Sequence, residues 1–205
     1  VPLNSKTIID GSITYSNYFI EQIETNDQPR SSGINGYSVN LNFSRFFNGL
    51  DKLKYGLEMN GFRTEFQIYN SSNRRITQYE NTSEINAFVN YLKNINKKLL
   101  LEGGLRLQRY ASLSETTLEP RLRMKYNFNT RWRFKASAGL YSQNLMSAVS
   151  DRDVVNLFYG FLSGPDDLPK TFLGKPVESK LQKARHAVAG FEFDINSISE
   201  INVEG

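Results

Sequence analysis

Between residues 98 and 142 almost every second residue is apolar, and this period of two constrains the fold more than any other feature of the chain. Leu122, Met124, Tyr126 and Phe128 alternate with Arg121, Arg123, Lys125 and Asn127. After a short turn, Trp132, Phe134, Ala136, Ala138 and Leu140 alternate with Arg133, Lys135, Ser137 and Gly139. Successive side chains of a strand point to opposite faces, so the stretch is an antiparallel hairpin with one apolar face and one cationic or polar face. Parity fixes sidedness; it does not fix which face meets water.

The same pattern recurs along the chain. Strands are expected over residues 12–23, 36–47, 53–69, 84–93, 98–110, the two arms of the hairpin and 185–195, with a last partial strand after the turn at 196–199. Residues 1–11 read as irregular, and 24–33, 70–82, 111–117 and 143–183 as loops. That makes about nine strands, many longer than the ~5–6 residues usual in soluble sheets. Long and short connections alternate, so tight turns gather at one end of the sheet and large loops at the other. An up-and-down transmembrane barrel has this asymmetry, whereas a sandwich mixes its connections. Aromatic residues cluster near the tight turns (Tyr55, Tyr126, Phe128, Trp132, Phe191, Phe193), as in an interfacial girdle. The fold class read from these signals is all-β: an antiparallel up-and-down transmembrane β-barrel.

Composition excludes several alternatives. The chain of 205 residues is 39% hydrophobic, and no run of ~18 apolar residues could form a transmembrane helix. There is no cysteine, hence no disulfide scaffold and no thiolate metal site. The net charge of +4 is spread along the chain without a basic run, which argues against nucleic acid as a partner. His186 is the sole histidine, so multi-histidine metal sites and serine–histidine catalysis have little to work with. Gly103-Gly104 lies mid-strand and marks close packing or a bend. No acid–base, nucleophile or metal constellation is visible, and the chain reads as a non-enzyme without a cofactor.

Two groups remain as candidate functional residues. If the apolar face meets lipid, the other face lines a lumen, with Glu102, Arg106, Arg121, Arg123, Lys125 and Lys135 as its main wall residues and Glu58, Asn60, Gln108, Arg133 and Ser137 beside them. Charges of both signs suit a water-filled channel or contact with a polar plug, since unpaired charges in a dry core are costly. The second group lies in the long loop, where Phe158, Tyr159 and Phe161 stand beside Asp166 and Asp167. These are the candidate ligand contacts of an external loop or of a lid folding into the lumen. The two aspartates alone fall short of the ~6–8 oxygens that Ca²⁺ takes.

Several stretches resemble a known family. In the barrels of TonB-dependent outer-membrane receptors a strand ending G-x-R-x-x-x-Y is followed by L-x-P-R-x-x-x-x-Y and then by K-x-x-x-G-x-Y-x-Q. Here these positions are Gly104, Arg106 and Tyr110; Leu118, Pro120, Arg121 and Tyr126; and Lys135, Gly139, Tyr141 and Gln143. The resemblance runs over residues 84–195. It implies a barrel of about 22 strands, plugged by a domain of the same protein, of which residues 1–205 would supply part of the wall. It also implies location in the bacterial outer membrane, contact with outer-membrane lipid, and uptake of a scarce nutrient (siderophore, cobalamin, glycan or peptide). The inner-membrane protein TonB would drive uptake, in some systems alongside a surface lipoprotein. The alternatives are another outer-membrane barrel of a secretion or adhesion apparatus, or a soluble extracellular glycan-binding β-protein. In the barrel reading the turn at 129–131 is periplasmic, loops 111–117 and 143–183 face outward, and Leu122, Met124, Phe134 and Leu140 touch lipid.

Overall fold

The computed structural model describes residues 1–23, 29–47, 51–69, 72–96, 98–148, 160–163, 171–172, 174–176, 179, 181–196 and 198–205. Among them the regular structure is all strand: β1 (Pro2–Asn4), β2 (Thr7–Gln22), β3 (Arg30–Phe46), β4 (Lys52–Tyr69), β5 (Arg75–Asn94), β6 (Leu99–Tyr110), β7 (Glu115–Asn127), β8 (Trp132–Gln143), β9 (Leu145–Ala148), β10 (Gly160–Ser163), β11 (Thr171–Phe172), β12 (Lys175–Pro176), β13 (Gln182–Asp194) and β14 (Glu200–Glu204). Ten of these form one antiparallel up-and-down sheet in the order β1-β2-β3-β4-β5-β6-β7-β8-β13-β14. The sheet does not close, because β1 and β14 are its free edges. Two small hairpins, β9–β10 and β11–β12, fall between β8 and β13 in the chain.

Strand boundaries differ from the sequence expectation in one direction. Residues 1–11 are not irregular: β1 occupies part of them and β2 starts at Thr7. The expected loops at 24–33, 70–82 and 111–117 shrink, because β3 begins at Arg30, β5 at Arg75 and β7 at Glu115. The cause is physical. Alternation is imposed only where one face of a strand meets an apolar medium. Beyond that level neither face is strongly apolar, and polar residues such as Thr77, Gln78 and Glu80 continue the backbone ladder with β4 without alternating. β5 reaches 20 residues, about twice the ~9–11 that a barrel strand needs to cross a bilayer.

Register confirms the two faces. Paired positions such as Met59↔Ile85, Leu107↔Leu118 and Leu122↔Ala138 continue one apolar face across the sheet. Asn40↔Glu58, Glu58↔Asn86, Asn86↔Gln108 and Arg106↔Glu119 continue the polar one. Burial is inverted relative to a water-soluble sheet. Leu118 is 59% and Leu122 55% exposed, whereas Asn86 is 0% and Glu119 2% exposed. Among the described residues the buried hydrophobic side chains are only Tyr110 and Leu181. A flat sheet would expose both faces alike, so this difference reports a sheet curled with its polar face inward.

The tight turns share a chemistry. The backbone closes with Phe47 N–H to Asp51, Ile95 N–H to Leu99, Phe128 N–H to Trp132 and Ile195 N–H to Ser199 carbonyls, at 2.9 to 3.0 Å. In three of these turns an asparagine accepts two backbone N–H groups: Asn96 from Lys98 and Leu99, Asn129 from Arg131 and Trp132, and Asn196 from Ile198 and Ser199. This is the local bond for which asparagine is favoured in turns. The aromatics of the apolar face gather just above these turns: Phe43 stacks on Tyr55, Trp132 on Phe193 and Phe134 on Phe191, with ring centroids 5.1, 4.4 and 5.0 Å apart. Mid-strand, a Cβ on Gly104 would meet the Asn90 amide, which would have to turn aside to admit it, while Gly103 faces open space.

Asp51 joins two neighbouring turns. Its carboxylate accepts from Lys93 Nζ at 2.6 Å and from Asn94 N–H at 2.8 Å. The Lys93 hydrogen bond first, and the Asn94 bond second, hold its pKa below the ordinary 3.8. A depressed carboxylate stabilises the fold above its unfolded pKa and loses that contribution as pH falls through the folded value. Asp51→Asn should therefore lower the denaturant midpoint at neutral pH, and the gap to wild type should close as pH drops below about 4; a gap independent of pH would contradict the pairing.

Candidate functional site: the polar wall

The six wall residues read from the sequence share the inward face. Glu102 lies opposite Arg123, Arg106 opposite Glu119, Arg121 opposite Gly104 and Lys125 opposite Lys135. The face is not the cationic surface that the sequence of β7 and β8 alone implies. Arg106 pairs with Glu58 two strands away at 2.9 Å, Arg121 with Glu119 at 2.9 Å, and Arg123 with Glu102 at 3.9 Å. Arg133 donates to Glu192 at 2.7 Å and to both oxygens of Asp194, and reaches Glu200 at 3.3 Å. Lys135 is ion-paired with Glu192. Lys125 has no acidic partner among the described residues and stands directly opposite another lysine, a repulsive cross-strand pair.

Near the turn-side end the wall is hollowed into an open groove of about 390 Å³. Glu102, Arg123, Lys125, Lys135, Ser137 and Glu204 supply its polar lining. Toward the opposite end lies a buried cluster around Glu119. One Glu119 oxygen accepts from the Ser142 N–H at 2.8 Å and the Ser142 hydroxyl at 2.6 Å, while the other takes Arg121. The Ser142 oxygen also lies 3.0 Å from the Tyr110 hydroxyl and 2.8 Å from that of Thr117. Among the described residues Asn86, fully buried between Glu58 and Gln108, has neither amide atom hydrogen-bonded, and Asn42 Oδ1, Arg106 Nε and Arg121 Nε are likewise unpaired. Buried polar atoms are nearly always satisfied by protein or water. This wall therefore has the chemistry of a surface that completes its bonds with water or with a polar body inside the curl.

Of the long-loop candidates, Phe158, Tyr159, Asp166 and Asp167 lie outside the described residues. Phe161 falls in β10, whose backbone lies against β3, β4 and β5, far across the sheet from the β8 end that precedes it. On those strands the inward-facing Ser32, Thr64 and Thr82 are buried. Among the described residues no cluster of three or more histidines or carboxylates is placed to hold a metal ion.

Sequence reasoning missed Glu119, Ser142, Glu192, Asp194 and Glu200 as members of the wall. Parity places each acidic residue on the correct face, but which cations they meet depends on the β8–β13 register. That pairing follows a connection of dozens of residues, and no turn chemistry sets it.

The chain is similar in structure to the siderophore receptor PirA from Pseudomonas aeruginosa, with a TM-score of 0.53 and 13% sequence identity, over 95% of this chain and 41% of the receptor. At that identity the likeness shows the fold, that of a barrel wall. No protein-family model and no curated protein matches the chain.

The Glu119 cluster is testable through stability. Glu119→Ala strands Arg121 and the Ser142 N–H in a buried site and should cost about 3 kcal/mol in denaturant unfolding, on the scale of breaking a buried ion pair. Glu119→Gln, which keeps an acceptor, should cost less; equal losses would mean that the carboxylate acts through volume alone.

Proposed function

We propose that this chain is wall of an outer-membrane β-barrel that takes up a scarce nutrient in a TonB-dependent manner. One observation carries the reading: the sheet exposes its apolar face and buries its polar one. Only a nonpolar surrounding makes such a sheet favourable, at roughly 25 cal/mol for each Å² of apolar surface removed from water. A closed barrel is the sheet form that leaves no backbone group unpaired in lipid, so in this reading further strands pair with β1 and β14. The likeness to a siderophore receptor, the turn-side aromatics and the motif resemblance support the same assignment.

In this reading the polar wall encloses a lumen filled by a plug domain of the same protein. The unsatisfied Asn86, Arg106 and Arg121 atoms would be completed by plug or water, and Lys125 by an acidic partner there. The connection between β8 and β13 reaches over toward β3–β5 and meets ligand first, with Phe158, Tyr159, Phe161, Asp166 and Asp167 as candidate contacts. The wall then guides ligand inward when TonB displaces the plug. Its work is recognition and passage, with no covalent step.

Two outcomes test this. The protein should resist extraction by salt and alkaline buffer, require detergent, and migrate differently before and after boiling; release by salt alone would end the membrane reading. Deletion of residues 151–169 should abolish ligand binding while the barrel still assembles. Uptake unchanged by the deletion would remove the loop from the mechanism and leave the barrel assignment standing.

A further inference from the structure

The β7–β8 ladder runs from Asn127↔Arg133 to Arg121↔Gly139 and stops there, although β7 extends to Glu115 and β8 to Gln143. Past Gly139, the Ser142 N–H is spent on the Glu119 carboxylate instead of a β7 carbonyl. β8 meanwhile stays paired with β13 as far as Gln182↔Gln143. The two strands thus part at their loop-side ends; one groove opens at the parting, and a second adjoins it over the last paired rungs of the ladder. The upper, of about 340 Å³, is lined by Thr116, Leu118, Leu140, Lys183 and Arg185 among others. The lower, of about 380 Å³, is lined by Pro120, Leu122, Ala138, Leu140 and Arg185. Leu140 and Arg185 belong to both, so the hollow is continuous.

The lower part of this hollow lies on the apolar side of the sheet, while the upper part cuts into the parting, where the inner-face Thr117, Glu119 and Tyr141 join its lining. Leu118, Pro120, Leu122, Ala138 and Leu140 have the parity of the apolar face, and Arg185 pairs directly with Leu140. The lower part is open where short side chains meet: Ala138 lies between Leu122 of β7 and Ala187 of β13, and Pro120 stands opposite Leu105 of β6. At the upper end Lys183 and Arg185 are exposed and have no acidic partner among the described residues. A cation on a lipid-facing surface costs several kcal/mol at mid-bilayer and close to nothing at the interface, and these two sit only at the loop-side end. Cations above a narrow apolar trough are the complement of an anionic amphiphile. Arginine holds phosphate oxygens through paired N–H donors, and an alkyl chain gains ~0.8 kcal/mol for each methylene buried.

The geometry points to a binding groove for a phosphate-bearing lipid, with its phosphate against Lys183 and Arg185 and one acyl chain along Pro120, Leu122, Ala138 and Leu140. The inference rests on the reading of the apolar face as membrane-facing. Neither a neutral lipid nor free phosphate satisfies both halves of the groove.

The test uses the full-length protein purified in neutral detergent and titrated with dioleoyl phosphatidic acid, dioleoylglycerol or inorganic phosphate, with retained ligand read by native mass spectrometry. Phosphatidic acid should bind on the order of tenfold more tightly than either other probe, about the value of a charge-assisted contact. The double variant Lys183→Glu/Arg185→Glu should lose that preference, and Ala138→Trp should weaken phosphatidic acid by filling the trough with the cations intact. Only variants that keep the heat-dependent migration of wild type are compared, and Lys183→Gln/Arg185→Gln serves where the charge reversals do not fold. Equal retention of both lipids, equal binding of phosphate alone, or a charge variant behaving as wild type would each overturn the groove. Release of the protein from membranes by salt would instead overturn the membrane reading, which the titration in micelles does not measure.

Discussion

Everything in this sheet depends on the antiparallel backbone ladder and its side-chain period of two. The ladder satisfies the polar groups of each strand regardless of what lies above or below the sheet. The faces are then free to differ, and here they differ in the unusual sense: the apolar one is exposed and the polar one is curled inward. A sheet in water stabilises itself by hiding leucine and valine. This one hides Asn86, Glu119, Thr82 and Glu192 and shows Leu57, Leu107, Leu118 and Leu122. Among the described residues the hydrophobic term therefore does not arise from a buried apolar core. In the proposed reading it comes from what surrounds the sheet.

The inward face follows from that inversion. Once polar side chains are brought together on a concave surface, their charges must balance locally. The balance is struck across strands rather than along them: Arg106 reaches over β5 to Glu58, and the cations of β8 are neutralised by acids of β13 and β14. Partly shielded pairs of this kind gain little over their desolvation cost, yet losing one partner is expensive. Such a network specifies register more than it adds stability. It also leaves remainders. Lys125 faces Lys135, and Asn86 has no hydrogen-bond partner among the described residues. In a self-sufficient core these would be defects; in the proposed wall they would be points of attachment for a plug or for water.

Much of this was legible from residue order. The alternation from Leu122 to Leu140 gave the faces of β7 and β8, and the asparagine-rich turns gave the even connections. It also fixed the side on which Glu102, Arg106, Arg121, Arg123, Lys125 and Lys135 lie. Three things were not legible, for three physical reasons. The extensions of β3 and β5 carry no alternation because both their faces are polar. The partners of Arg133 depend on a register set across a long connection, which no local rule supplies. Which face is wet is a property of curvature, and curvature is a collective outcome of ten strands rather than of any one of them.

The parting of β7 and β8 ties these observations together. A ladder that ended at Gly139 with nothing in its place would leave backbone groups bare on the margin of the exposed apolar face. The Glu119 carboxylate prevents this by taking the Ser142 N–H, and Arg121 prevents the carboxylate from being an isolated buried charge. The Tyr141 ring, held beneath the Arg121 guanidinium at 4.7 Å and edge-on to His186 at 5.2 Å, closes the same gap from the inner side. One acidic side chain thus takes up a backbone donor that the divergence leaves without a β7 carbonyl. Divergence there is useful to a wall of this kind: β8 can then lead into the long connection without dragging β7 out of the sheet.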